Sequence, residues 1–180
     1  GALSLCYFST SYLADRVPEF GLLDLPFVFR ERGHAYRVLD GPVGAQLTAR
    51  LEETTGFRLL VFWDNGFRHL TNRVHSIRQP EDCTGLVIRT LFSEMHQRAF
   101  ALMGFEPRPL DVKDLLTAVA EGTIDAHDNA LTNIFNFKIY EQHPYITLSS
   151  HFFGAAAVLA HGETMATWSP ELRAAVVESV

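Results

Sequence analysis

The sequence predicts an α/β fold in which strands and helices alternate, and three observations carry that reading. Short apolar runs suited to buried strands recur along the chain, stretches with apolar residues at helical spacing lie between them, and Gly, Pro, Asp and Asn punctuate most of the joins. Such alternation is expected to give mainly parallel sheets covered by helices. With 180 residues and 47% hydrophobic composition the chain can bury a sizeable core, as one domain or two small ones.

The opening string GALSLCYF alternates like a half-buried strand. Residues 9–20 mix polar and apolar side chains around Pro18 and suit a loop or short helix. Glu31 to Leu39 and Pro42 to Glu53 read as helices, with Pro42 in a first turn and Gly56 as a stop. FRLLVFW, Phe57 to Trp63, is a nearly continuous apolar strand, Asp64-Asn65-Gly66 a turn, and FRHLT extended again. The polar stretch Asn72 to Thr84, with Pro80, is the expected connection between two structural regions.

A second series follows. GLVIRT ending at Thr90 is a strand, Phe92 to Met103 a helix stopped by Gly104, and FEPRPL extended. Asp111 is placed to cap a helix from Val112 to Ala120 that ends at Gly122. TIDAHD is a strand, Ala130 to Tyr140 a helix, Ile146 to His161 a long extended segment, and Ser169-Pro170-Glu171 the start of a last helix.

Several function classes fall away on composition. The net charge is -6, from 21 acidic and 15 basic residues with no basic block, so nucleic acid is not an expected partner. Two cysteines, Cys6 and Cys83, exclude a disulfide framework or zinc cluster and leave only a single bridge open. The eight histidines are dispersed without HExxH or similar spacing, so neither a metal nor another cofactor is expected. No GxSxG elbow or Gly-rich phosphate loop occurs. The apolar run Phe152 to Ala160 is far shorter than the roughly 20 residues that span a bilayer.

Candidate site residues follow from position and chemistry. Arg89 lies at the carboxyl end of a buried strand, where ligands of open α/β folds bind, and its guanidinium matches a carboxylate; a structural ion pair is the alternative. Arg68, after the DNG turn, could add a second positive charge or be a surface arginine. Asn129, between a strand and a helix, could orient a ligand oxygen or simply cap the helix. Trp63 could wall a pocket or fill the core, and His151 is retained from among the histidines. Asp125 and Asp128 suggest paired carboxylates, with Asp125 the better suited to brace a turn.

Read together, VPEFGLLDLPFVFRERGHAYRVLDGPVG, FWDNGFRHLTN, PEDCTGLVIRT, PLDVKDLLTAVAEGTIDAHDNALTNI and KIYEQHPYITLSSHFF resemble, in order, the periplasmic substrate-binding subunits of TRAP transporters, the DctP-like family. The resemblance implies a two-lobed periplasmic-binding-protein-like fold with a ligand cleft between lobes, incomplete at both ends. It divides the chain into residues 1–71, part of lobe 1, residues 72–148, lobe 2, and residues 149–180, a crossover back toward lobe 1. It implies a periplasmic location and, as partners, a small carboxylate ligand such as a dicarboxylate and the transporter's membrane subunits. By this analogy Arg89 pairs with the ligand carboxylate, Arg68 supports it from the other lobe, Asn129 is the family's amide, and Ser9 and Tyr12 lie on a ligand-dependent loop.

Two departures bear on the ligand. Sialate-binding members carry an acidic residue and an arginine where this chain has Ser9 and Tyr12, and members commonly have a stacking Phe where this chain has Val112. A ligand other than sialic acid, with a different or larger body, is therefore expected. The rival reading is a lyase-like enzyme acting on a carboxylic acid in the same cleft, with His127 or His151 as base.

Overall fold

The two apolar strand signals that dominate the sequence become the two longest strands of the structure, β2 (Phe57–Asn72) and β6 (Tyr145–His161), paired along most of their length. In the computed structural model, residues 3–180 are described; the predicted alternation at residues 1 and 2 lies outside them. The other strands are β1 (Leu5–Ser9), β3 (Val87–Thr90), β4 (Glu106–Pro109) and β5 (Ala126–Ala130), and all six join in the order β1-β6-β2-β5-β3-β4.

The sheet is mixed, which corrects the expectation of mainly parallel pairing. β3 runs parallel to β4 and β5, whereas β1–β6, β2–β6 and β2–β5 are antiparallel. Short βα units give parallel neighbours, but β2 and β6 are far apart in sequence, and alternation of elements does not set their relative direction.

A second correction concerns Asp64-Asn65-Gly66, which is not a turn. The strand continues through it as a bulge, its register passing from Asp64 opposite Ala155 to Gly66 opposite Gly154. Two facing glycines permit this. Gly66 has φ +100°, and a Cβ on Gly154 would stand 2.9 Å from the Gly66 carbonyl oxygen. Farther along, β6 loops out residues 148–151 between the pairs Arg68 with Phe152 and Leu70 with Thr147. Ser150 there has φ 48° and its amide donates to His69 Nδ1 at 3.3 Å.

That loop-out marks the boundary between two cores. Before it, Phe57, Leu59, Phe62 and Phe67 of β2 and Phe153, Ala155, Ala157 and Leu159 of β6 pack with Phe20 and with Leu47 and Leu51 of helix α2 (Pro42–Thr55). Beyond it, Leu70 packs with Ile88 of β3, Ala126 of β5 and Phe100 of α3 (Glu94–Leu102), joined by Phe152 from the near edge of the loop-out. A third cluster joins α4 (Val112–Glu121) to α5 (Leu131–Asn136) through Leu115, Val119 and Ile134.

The cap signals hold. Asp111 accepts from the Lys113 amide at 3.1 Å, and Ser169 from the Leu172 amide at 3.2 Å at the start of α7 (Pro170–Ser179), after the short α6 (Gly162–Ala166). Residues 9–20 are largely 3₁₀ turns, and α1 (Arg32–Leu39) precedes α2 as predicted. The helix predicted from Ala130 to Tyr140 is shorter: α5 ends at Asn136, Lys138 takes φ 53°, and a 3₁₀ turn follows. Cys6 packs against the first core and Cys83 lies in the second, both free, so the open disulfide option is not realised.

Candidate ligand site

Arg89 is the next-to-last residue of β3, between Arg108 of β4 and His127 of β5, and is 1% exposed. Its Nε donates to the Leu110 carbonyl at 2.8 Å. Its Nη2 is enclosed and has no hydrogen-bond partner among the described residues. Burial pushes the guanidinium below its ordinary pKa; the Asp128 charge opposes that shift and the Arg68 charge adds to it. A buried guanidinium nitrogen left without an acceptor carries a desolvation cost that an incoming anion would remove.

Arg68, on β2, is equally hidden but fully engaged. Its Nε donates to Asp128 Oδ2, its Nη2 to the Asp128 carbonyl at 2.7 Å, and its Nη1 to Asn129 Oδ1 at 3.4 Å. Burial opposes the charge on Arg68, but Asp128 more than restores it. Burial likewise opposes the charge on Asp128, and Arg68 with His151 holds that carboxyl well below the usual range. Arg68 is thus tied to β5, the strand beside β3.

Asn129 is the last residue but one of β5 and does not cap α5. Its Oδ1 accepts from the Ala130 amide at 2.9 Å and from Asn133 Nδ2 at 3.0 Å, and Asn133 Nδ2 also reaches Asn65 Oδ1 at 3.2 Å. The β2 bulge is what brings Asn65 to this row of amides. Together these groups line a cavity of about 280 Å³. Ser9, Tyr12, Asn65, Arg68, Arg89, Asn129 and Asn133 supply polar surface, and Tyr7, Phe8, Leu91, Val112 and Phe137 the apolar walls. An apolar pocket with a few placed polar groups is the usual form of a small-molecule site.

Comparison with known proteins accords with this geometry. Residues 1–180 match the family model described as "Bacterial extracellular solute-binding protein, family 7". The chain belongs to that family. Its relatives include the 2,3-diketo-L-gulonate-binding periplasmic protein YiaO of Escherichia coli, 33% identical over 99% of this chain and 54% of the relative. Among solved structures, the sugar acid binding protein DctPAm of Advenella mimigardefordensis, in complex with galactonate, superposes with a TM-score of 0.94 at 33% identity, over 98% of this chain and 56% of that one. A TRAP periplasmic solute-binding protein of Sulfurospirillum deleyianum with bound succinate gives 0.93 at 32% identity, over 97% and 56%. The chain thus spans about half the length of the family-7 proteins it matches.

Within this family-7 frame, five of the seven residues singled out from sequence, Arg89, Arg68, Asn129, Ser9 and Tyr12, line the one cavity. Trp63 and His151 do not. Trp63 is 41% exposed, tilted against Tyr7 at 5.5 Å, with Nε1 donating to the Val180 carbonyl at 3.1 Å. His151 lies behind the cavity wall, 3.4 Å from Asp128 through Nε2 and 2.7 Å from Ser149 Oγ through Nδ1. Asp125 braces its turn, accepting from Arg73 at 2.9 Å and from the Val87 amide at 3.1 Å.

Sequence reasoning missed three features of the cavity and its surroundings. Asp128 was paired with Asp125 when its partner is Arg68, and Asn65 and Asn133 read as an ordinary turn residue and helix residue. Asp24, buried and accepting from Ser11 at 2.8 Å and Ser93 at 3.1 Å, with His96 Nε2 at 3.3 Å, gave no local signal at all. Strand alternation could have found Asp128: in AHDNA it is offset by one residue from both His127 and Asn129, toward the neighbouring strand's Arg68.

Proposed function

We propose that this chain forms the ligand-holding part of an extracytoplasmic solute-binding protein that captures a carboxylate-containing organic acid and delivers it to the membrane subunits of a TRAP-type transporter. The observation that carries the reading is Arg89 Nη2, a charged donor buried beside a small cavity with no acceptor among the described residues. A ligand carboxylate supplies that acceptor in bidentate geometry. The carboxylates named for the relatives, galactonate and succinate, support the same chemistry here.

Residues 1–71 and 149–180 act as one lobe and residues 72–148 as the other. In support, one core draws on β2 up to Phe67 and on β6 from Phe153, while the others draw on Leu70 through Ile139 together with Phe152. The looped-out residues 148–151 of β6 sit at the change of core, where a hinge would act, and closure of the lobes on the ligand would present a changed surface to the membrane subunits. The family's extracellular assignment supports a periplasmic setting.

Binding without chemistry is favoured over the lyase reading by the two histidines. His127 is buried, its pKa pushed down to about 3 by desolvation, and His151 is pushed down by the same cause; neither lines the cavity. A base must lie within hydrogen-bond reach of its substrate. Mass spectrometry of ligand released from the purified full-length protein should recover a carboxylic acid that rebinds unchanged. Recovery of a converted product from an added acid would overturn the binding reading.

A further inference from the structure

Both of the larger cores send polar groups to one buried meeting point behind the cavity. Asp24 follows Leu23, which packs in the first core, whereas Ser93 and His96 belong to the start of α3, whose Phe100 packs in the second. On its own side Asp24 Oδ1 accepts from Ser11 Oγ at 2.8 Å, and across the boundary Asp24 Oδ2 accepts from Ser93 Oγ at 3.1 Å. His96 stacks on Phe152 at 4.4 Å and brings Nε2 to 3.3 Å from Asp24 Oδ1, outside hydrogen-bond geometry. Ser11, Asp24, Ser93 and His96 are each 4% exposed or less, so this chain's own residues close the cluster off from water.

The cluster is connected to the cavity from both sides. Ser9, on the cavity wall, donates to Ser11 Oγ at 3.1 Å, and Tyr12, the neighbour of Ser11, lines the same cavity. On the other side Arg89 and Leu91 line it, in the segment that leads directly to Ser93. Ser93 Oγ also accepts from the His96 amide at 3.4 Å as the cap of α3, which places the Asp24 carboxylate at the positive end of that helix. Sliding the two sides apart would strip a buried charge of its donors, which is among the costlier changes a fold can undergo.

We infer that Asp24 and Ser93 are positioning residues, a clasp across the two lobes that holds the loop of residues 9–12 in register with the segment from Arg89 to Ser93. Neither residue lines the cavity. The inference rests on the two-lobed carboxylate-binding reading above and deepens it. Apparent affinity is reduced by the fraction of molecules in which the binding-competent arrangement is populated. Loosening the clasp therefore weakens binding while every group on the cavity wall keeps its identity.

Calorimetry and urea denaturation of full-length variants test it, with galactonate, succinate and the acid recovered from the parent protein as probes. Ser93→Gly removes the donor yet remains an acceptable helix cap, and should bind several-fold more weakly than the parent. Ser93→Asp also caps α3 but sets a second carboxylate against Asp24, and should weaken binding at least about tenfold as the competent fraction falls. Adding Asp24→Asn to Ser93→Asp again faces a donor with an acceptor, under a single negative charge, and should recover most of the lost affinity. Parent-level affinity in folded Ser93→Gly and Ser93→Asp, whatever their urea midpoints, would make the cluster structural only and overturn the clasp. A double variant that binds no better than Ser93→Asp would overturn the direct pairing of the two residues. A parent that binds none of the probes would bring down the carboxylate reading itself, and the clasp with it.

Discussion

The surroundings of Arg68 and Arg89 differ more than their positions do. Both guanidiniums are buried on neighbouring parts of one sheet and both line one cavity. Around Arg68 each nitrogen has an acceptor, drawn from Asp128 and Asn129; around Arg89, Nε has the Leu110 carbonyl and Tyr12 lies close enough to favour the charge, while Nη2 has no acceptor among the described residues. A satisfied buried charge is part of the structure that holds a site, whereas an unsatisfied one carries a desolvation cost that an added acceptor would remove. Burial alone does not distinguish the two; their acceptors do.

The comparison is broken most forcefully from the Arg68 side. Arg68→Met leaves Asp128 as an uncompensated buried carboxylate and should cost about 3–5 kcal/mol of stability by urea denaturation. A cost below about 1 kcal/mol would mean that the pair is not structural. Because Arg68 also lines the cavity, binding should weaken in any variant that still folds.

Acid sharpens the same contrast between groups the fold satisfies and groups it strands. Desolvation holds His143 down to about 4 and His127 to about 3, against an unfolded value of about 6.5. Both are kept neutral by the fold, so their contribution is complete above about pH 6.5 and is lost as pH falls toward 4 and then 3, at about 1.4 kcal/mol per pH unit for each group. Asp128, held well below the usual carboxylate range, keeps its full contribution above its unfolded value of about 4 and loses it progressively as pH falls below that. Urea midpoints at pH 7 and pH 5 should therefore fall steeply, and His143→Asn should flatten the slope. A midpoint that is level from pH 7 to 5 contradicts the buried neutral histidines.

The smallest effect is expected at Asn133. Asn133→Ala removes the donor shared by Asn65 and Asn129 and should cost about 1 kcal/mol of stability, with a several-fold loss of ligand affinity by calorimetry. Affinity equal to the parent would show that the amide row does not orient anything the ligand touches.

Much of this was legible from local signals. The caps at Asp111 and Ser169, the long apolar strands and the placement of Arg89 at a strand end are properties of neighbours in sequence, and they appear as read. Strand direction, the Asp64–Gly66 bulge and the Arg68–Asp128 pair depend on segments far apart in the chain. A DNG string reads as a turn because its residues favour turns; only the facing Gly154 allows it to stay in the strand as a bulge. Trp63 satisfied the sequence criteria for a pocket wall, yet strand pleating turns it toward Tyr7 and Val180. Asp24 and the residues that surround it meet only through the tertiary fold.

The most direct measurement is a paired one on Arg89→Met, reading urea stability without ligand and the dissociation constant for the acid recovered from the protein. Removing a stranded charge from a buried position should leave stability unchanged or raise it, while binding weakens by about 2–5 kcal/mol. A variant that loses stability as Arg68→Met does, yet binds the acid as tightly as the parent, would show that Arg89 is structural and is not the anchor of the ligand.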